Sequence, residues 1–409
     1  MKRFLSAIIC AVITAAVITG CSSDKESEAS SRSVQSSAPA SSTAPTQPKK
    51  ATVDDASASP DSAELSEGDV SYNSLSIKKN INEIEAKLDS IVEATGFSGA
   101  AYMKIGNDFE YVKTKGFANK GAHIDNSIYR SCYAGSVTKL FTAAAVMKLA
   151  EENKLSLDDT LDNYFKGCVY GKEVTVRQLL GMTSGIPDYV SRDEKSPKEV
   201  TLNKDLQGKL NGGSAYEKNK ATILSWILSQ PLQKEKQGNF DFSDSNYYLL
   251  GEIIGSVSGK QYEVYLSEAV FKPALMTKTG FEPDESTASP YESKKETSPL
   301  LYEGVGYSAL GVITNVSDML KFVDALMSNQ IIGEESLEEM LTDSGDGFGY
   351  GVFINGSRYS FAGRVDAYSA KLSFTKDKCL IFAAVSNYSD SDPDLLQSQA
   401  RNYLVKYSN

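Results

Sequence analysis

Ser136-Val137-Thr138-Lys139 is the place in this chain where residue types and spacing could build a covalent acyl intermediate. A serine hydroxyl is a weak nucleophile until a base takes its proton, and a lysine three residues on, in the first turn of a helix, shares the serine's face. Kept desolvated and neutral, Lys139 would be that base, and the positive end of the helix would favour the alkoxide. The plain alternative is an N-cap serine followed by a solvated lysine. Ser-x-x-Lys alone decides little, because it recurs at Ser22/Lys25, Ser76/Lys79 and Ser373/Lys376. Context separates them. Ser22 lies in a polar tail, Ser76 precedes a charged helix start, and Ser373 lies in a strand-like run that sends Ser373 and Lys376 to opposite faces. Only after Ser136 do apolar residues (Val137, Leu140, Phe141, Ala144, Met147) fall at the spacing of a helix with one buried face.

Other chemistries find little support. The sole histidine, His123, sits in a loop-like Gly-Ala-His-Ile-Asp stretch, which argues against a histidine triad and a multi-histidine metal site. No metal and no cofactor is expected. Net charge is -11 with no basic run in the mature part, so nucleic acid is not an expected partner. Cys132, Cys168 and Cys379 remain once Cys10 and Cys21 are set aside with the leader, and an odd number at unpatterned spacing does not make a disulfide framework. Cys132, close before Ser136, reads as a small buried hydrophobe.

The elements that must position Ser136 occupy only part of the 409 residues. Residues 1–21 have a basic start (Lys2, Arg3), an apolar stretch and the sequence Ile18-Thr19-Gly20-Cys21, and read as a secretory signal. Residues 22–75, rich in Ser, Ala, Pro and acidic side chains, cannot bury enough surface to fold and read as a tether. As a flexible coil it would reach roughly 40 Å. The folded domain is expected over 76–409. An amphipathic helix (Ile81, Ile84, Leu88, Ile91, Val92) precedes strand-like runs at 98–105 and 109–113. Strand signal returns at 349–354, 359–361, 370–374 and 380–385, before a last helix near 393–405. The stretch between, about 155–326, is mostly helical. Strands at both ends and helices in the middle predict an α/β fold of the α+β type: one antiparallel sheet flanked by helices, with an all-helical subdomain and a site in the groove between them.

Several motifs in order resemble the serine beta-lactamase-related family, which includes class C beta-lactamases, D-alanyl-D-alanine carboxypeptidases and related esterases. They are Ser136-Val137-Thr138-Lys139 followed by Lys154-Leu155-Ser156-Leu157-Asp158-Asp159, and Val176-Arg177-Gln178-Leu179-Leu180 leading into Thr183-Ser184-Gly185-Ile186-Pro187-Asp188-Tyr189. Asn246-Tyr247-Tyr248-Leu249-Leu250-Gly251, Val257-Ser258-Gly259-Lys260, Phe271-Lys272-Pro273 and a segment from Gly311 to Phe322 follow. The resemblance spans most of 80–390 and implies a Ser136 nucleophile. The end of the leader resembles a bacterial lipobox, which implies that Cys21 carries a lipid and anchors the protein to the membrane, outside the cytoplasm.

Two motifs depart from the family. Where relatives have Tyr-Ser-Asn or Tyr-Ser-Asp, this chain has Phe242-Ser243-Asp244; a shifted register would instead read Asp244-Ser245-Asn246. The relatives' phenol relays protons, which a phenyl ring cannot do. Asp244 would favour the charged form of Lys139, and is either the substitute proton acceptor or a structural ion-pair partner. Where relatives carry Lys-Thr-Gly or His-x-Gly, the chain reads Phe361-Ala362-Gly363, so the cation for a substrate carboxylate is missing. Gly363 fits a strand that a substrate backbone approaches closely. By the resemblance, the main-chain N–H of Arg364 joins that of Ser136 as the oxyanion hole. The Arg364 guanidinium could replace the lost charge, although alternation turns it away from the face of Phe361. Tyr307, Ser308 and Tyr189 are further candidates for the cleft lining. Two functions follow from these readings. One is a lipid-anchored envelope serine hydrolase acting through a Ser136 acyl-enzyme on an ester, D-alanyl peptide or beta-lactam-like carbonyl; the other is a disabled relative that binds a wall polymer or protein.

Overall fold

In the computed structural model of the chain, residues 72–193, 196–292 and 297–408 are described. The leader, Cys21 and residues 22–71 of the expected tether lie outside them. Residues 72–75, assigned to the tether from composition, belong to the fold. Tyr72 bridges to Ser408, and a short helix runs over Ser74–Lys79.

The main sheet has six strands: β1 (Gly99–Ile105), β2 (Phe109–Lys115), β3 (Phe353–Asn355), β4 (Arg358–Val365), β5 (Tyr368–Thr375) and β6 (Leu380–Ser386). Their order is β2-β1-β6-β5-β4-β3, and every neighbouring pair is antiparallel. The N-terminal hairpin thus joins the C-terminal strands through β1 and β6, with Ala100 opposite Val385. Alternation along β6 sends Phe382 and Ala384 to one face and Ala383 and Val385 to the other.

The first face is covered by α1 (Ile81–Ala94) and the C-terminal helix, whose Ile84, Leu88, Val92, Leu396 and Ala400 pack on Ala101, Met103, Phe382 and Ala384. The second face carries the larger core, built around α2 (Thr138–Glu151) and α3 (Asp244–Ser258). With helices on both faces, β5 is buried at every position although its sequence alternates Tyr368, Ala370, Leu372 and Phe374 with Ser369, Lys371, Ser373 and Thr375; the polar side is buried too, with Lys371 paired to Asp394 of the C-terminal helix.

The expected architecture is present, with three differences. One face of α2 was expected to be buried, yet every residue from Thr138 to Met147 is; a helix enclosed on all sides is a core element, and Thr138, Lys139 and Thr142 are buried through specific partners. The strand signal at 349–354 yields only Phe353–Asn355. The helical insertion also holds a hairpin, Val190–Asp193 with Ser196–Leu202, in which Arg192 pairs with Val200. That segment is short and polar, so hydrophobic periodicity does not reveal it.

Candidate active site

Ser136 sits in a tight 3-10 turn, Gly135–Val137, that runs directly into α2. It keeps 7% of its surface exposed while Lys139 keeps none, so the serine lies nearer the edge of the core than the lysine. Lys139 Nζ donates to Ser136 Oγ at 2.9 Å and to the Ala309 carbonyl at 3.1 Å, and forms an ion pair with the Asp244 carboxylate. Three N–H groups of an ammonium thus have three acceptors around them.

The Ala309 carbonyl is held in place by its own segment. The helix Tyr307–Leu310 is tied to α2 by Thr142 Oγ1 donating to the Ser308 carbonyl at 2.7 Å, and the Val312 N–H donates to Thr138 Oγ1 at 3.1 Å. Ser308 Oγ donates to the Tyr247 carbonyl at 2.8 Å, which ties the same segment to α3.

Asp244 is the first residue of α3, where the helix end favours a negative charge. One of its oxygens meets Lys139 and the other accepts from an Arg192 guanidinium N–H. Arg192 also donates to Asp188 at 2.6 Å, and the other Asp188 oxygen accepts from the N–H groups of Val190 and Asp244, each at 3.0 Å. The result is a buried chain of alternating charge: Lys139, Asp244, Arg192, Asp188. Burial works to raise the Asp244 carboxyl, but Arg192 and Lys139 together outweigh it and hold the group below its ordinary value. Burial, helped by the repulsion of Arg192, holds the Lys139 ammonium below the ordinary lysine value against the pull of Asp244 and, more weakly, of Asp188. Burial, then the charge of Asp244, pushes Asp188 up to about 7.

Strand β4 closes the site from the other side. Beyond Ser360 its edge is not paired with β3, and the Ser136 turn packs there. A Cβ on Gly363 would collide with the Ala134 carbonyl oxygen and lie 2.6 Å from Ser136 N; one on Gly135, at φ +52°, would lie 2.6 Å from Arg364 N. Two glycines therefore bring the main-chain nitrogens of Ser136 and Arg364 together. The rings of Phe242 and Phe361 lie 5.1 and 5.7 Å from Lys139 Nζ. Phe361 is 2% exposed and packs with Phe348 and Phe353, so it roofs the amine instead of presenting a surface to a ligand. Phe242 is half-buried beside it.

Both Phe242 and Asp244 reach Lys139, which matches the 242–244 register. Ser245 and Asn246 turn elsewhere: Ser245 Oγ donates to the Pro187 carbonyl, and Asn246 Oδ1 accepts from Ser184. The Arg364 guanidinium donates to the carbonyls of Ser389 and Ser391 on the opposite face of the sheet, and supplies no charge to the cleft. Tyr307 does not line the cleft either. Its ring is buried against Tyr248 and Tyr262, with Lys220 over it at 4.7 Å. Tyr189 is fully buried, its hydroxyl donating to the Val305 carbonyl. Burial pushes the Cys132 thiol up, as suits a core residue. Spacing in the sequence does not single out Arg192, Asp188 or the Ala309 carbonyl. Asp188 at least lies in a legible motif, whereas Arg192 reaches the site from the hairpin.

Comparison with known proteins places the fold. The chain is 29% identical over 310 residues to a putative penicillin-binding protein, PbpX, of Bacillus subtilis (strain 168), covering 74% of this chain and 73% of that one. The crystal structure of a penicillin-binding protein from Bacillus halodurans superposes with a TM-score of 0.67 at 27% identity, over 77% of this chain and 99% of the other. A D-amino acid amidase from Ochrobactrum anthropi, at 19% identity and a TM-score of 0.63 over 80% of this chain and 99% of its own, shares the fold. The family described as Beta-lactamase matches residues 84–404, a span that holds the Ser136 turn, both altered motifs and the whole sheet; the chain belongs to the beta-lactamase family.

Proposed function

We propose that the protein is a serine hydrolase in which Ser136 is acylated by an ester or similarly reactive carbonyl lacking a terminal carboxylate. The observation that carries this reading is the 2.9 Å contact between Ser136 Oγ, on a residue that keeps 7% of its surface, and Nζ of the fully buried Lys139. Neutral Lys139 has a lone pair for the Ser136 proton while its two N–H groups still face Ala309 and Asp244. As the proton moves to Nζ, Oγ bonds to the carbonyl carbon and the π electron pair moves to the oxygen, facing the N–H groups of Ser136 and Arg364. Collapse expels the leaving group, which takes the proton from Nζ. Water then attacks the acyl-enzyme, its proton passing to Nζ and back to Oγ as the ester bond breaks.

Charge around Ser136 supports the substrate class. Lys139 faces Asp244, Arg192 faces two carboxylates, and Arg364 points away, so among the described residues of the site no cation is left uncompensated for a carboxylate. The test is incubation with p-nitrophenyl butyrate and, separately, a fluorescent penicillin. The ester is expected to give a burst and an intact-mass adduct mapping to the Ser136 peptide, more readily than the carboxylate-bearing penicillin. No adduct with either reagent would overturn the proposal. Phe242→Tyr is expected to raise steady-state turnover by about 10²-fold, since a positioned proton-transfer group contributes about 10²–10⁴; an unchanged rate would show that the missing phenol is not the limit.

A second reading has its own observation: Phe242 and Phe361 leave both usual proton relays without a titratable group. On it, the protein binds a cell-wall polymer or a protein partner through the same groove. In either case we propose a lipid anchor at Cys21 on the outer face of a bacterial membrane. Cys21→Ser is expected to abolish incorporation of labelled palmitate and release the protein from the membrane fraction.

A further inference from the structure

We infer that Arg192 is the counter-charge that lets Lys139 give up its proton, and so is a positioning residue for the acylation, resting on the serine hydrolase reading above. The argument begins with the carboxylate that the two cations share. Asp244 is wholly buried, with Lys139 on one oxygen and Arg192 on the other. Were Asp244 alone with Lys139, loss of the lysine proton would strand a bare carboxylate in the core, and the ammonium would be trapped. Arg192 removes that obstacle. Its guanidinium keeps Asp244 paired whether or not Lys139 is charged, and its own repulsion favours the neutral amine.

The geometry is built for this and not a chance contact. Arg192 is 13% exposed and bridges two carboxylates with one planar fork, Nη1 to Asp188 and Nη2 to Asp244, which a lysine cannot match. Asp188 is fixed by two main-chain N–H groups, one of them the first of α3, so the fork's anchor and its target are tied to each other. The carbon at the centre of the guanidinium lies 4.8 Å from the centroid of the Phe242 ring, which also has Lys139 at 5.1 Å. Among the described residues the other elements around Lys139 bring no further charge: Tyr247 of α3 has its hydroxyl on the Leu180 carbonyl, the Tyr307–Leu310 helix offers the Ala309 carbonyl, and β4 offers Phe361. Asp244, Arg192 and Asp188 are therefore the charges that set the state of the amine.

The sign of each substitution follows. Arg192→Gln removes a positive charge near Lys139 and strengthens the hold of Asp244, so the Lys139 titration is expected to move up by about one pH unit or more. Acylation at pH 7 is expected to fall about tenfold or more through kcat, with KM little changed. Arg192→Lys restores the charge without the fork and is expected to recover most of the shift. Asp188→Asn removes a negative charge above pH 7 and is expected to move the Lys139 titration down, the opposite way. The full chain, labelled with ¹³C at lysine Cε, is titrated by NMR for each variant beside the pH profile of the ester burst. Opposite movements in Arg192→Gln and Asp188→Asn support the inference; an unmoved Lys139 resonance, or movement of both in one direction, overturns it. Were Arg192→Gln not to fold, Asp188→Asn decides: a Lys139 titration that moves down supports the inference, and one that stays or moves up overturns it. Should the resonance move as expected while no burst is seen in the unaltered protein, the charge coupling stands and the hydrolase reading falls.

Discussion

Ser136→Ala is expected to abolish the covalent adduct and lower ester acylation by about 10⁴-fold or more, because among the described residues Ser136 is the nucleophile whose hydroxyl meets Lys139 Nζ. Lys139 then lacks its acceptor at 2.9 Å but keeps the Ala309 carbonyl and Asp244, so the stability cost is about 1–3 kcal/mol and the chain remains folded. Intact-mass spectrometry after incubation with the ester, with a urea titration alongside, separates the two effects. An adduct that persists in the alanine variant at the wild-type rate would move the nucleophile elsewhere. Cys132 is not a ready substitute: it is 1% exposed, and its thiol is pushed up by burial.

Gly363→Ala is expected to be nearly as damaging from a position that touches no substrate through a side chain. The three atoms nearest the added methyl are all backbone: the Ala134 carbonyl oxygen, Ser136 N at 2.6 Å and the Gly135 carbonyl carbon at 2.9 Å. None of these is the end of a flexible side chain, so the turn itself must move away from β4. A displacement near 1 Å costs about 10²-fold through lost alignment, and misplacing an oxyanion donor about 10²–10³-fold. Ester acylation is expected to fall by about 10³-fold, with a stability loss of about 1–3 kcal/mol from overpacking. Ala362→Ser, one position back and on the other face of the strand, is expected to leave the burst rate within about twofold. If Gly363→Ala acylates normally, the N–H groups of Ser136 and Arg364 are not the oxyanion site.

What the sequence reveals and conceals here has a physical pattern. The strands of the sheet and its two covering helices are legible because each has one dominant periodicity, and β6 shows it most plainly by dividing Phe382 and Ala384 from Ala383 and Val385. Alternation also foretells that the side chain of Arg364 leaves the cleft, and it is found on the carbonyls of Ser389 and Ser391. Periodicity misleads for α2, where every side is enclosed and polar residues are buried through individual hydrogen bonds that no pattern encodes. Tyr307 fails for a related reason: an aromatic near a motif has two places to go, and here packing among Tyr248, Tyr262 and Lys220 decides. Arg192 is concealed most completely. It lies 52 residues before Asp244, in a polar hairpin, and only the folded chain brings its guanidinium to that carboxylate.

The pairing of Ala100 with Val385 has a consequence for how the protein comes into being. Among the described residues the N-terminal hairpin has its sheet neighbour in a strand that begins at Leu380, so a ribosome must deliver the whole helical region between them before that partner exists. Such distant pairing makes for slow folding. A nonsense mutation anywhere before β6 would yield no smaller working fragment, because the platform beneath the nucleophile is incomplete until that strand has been made.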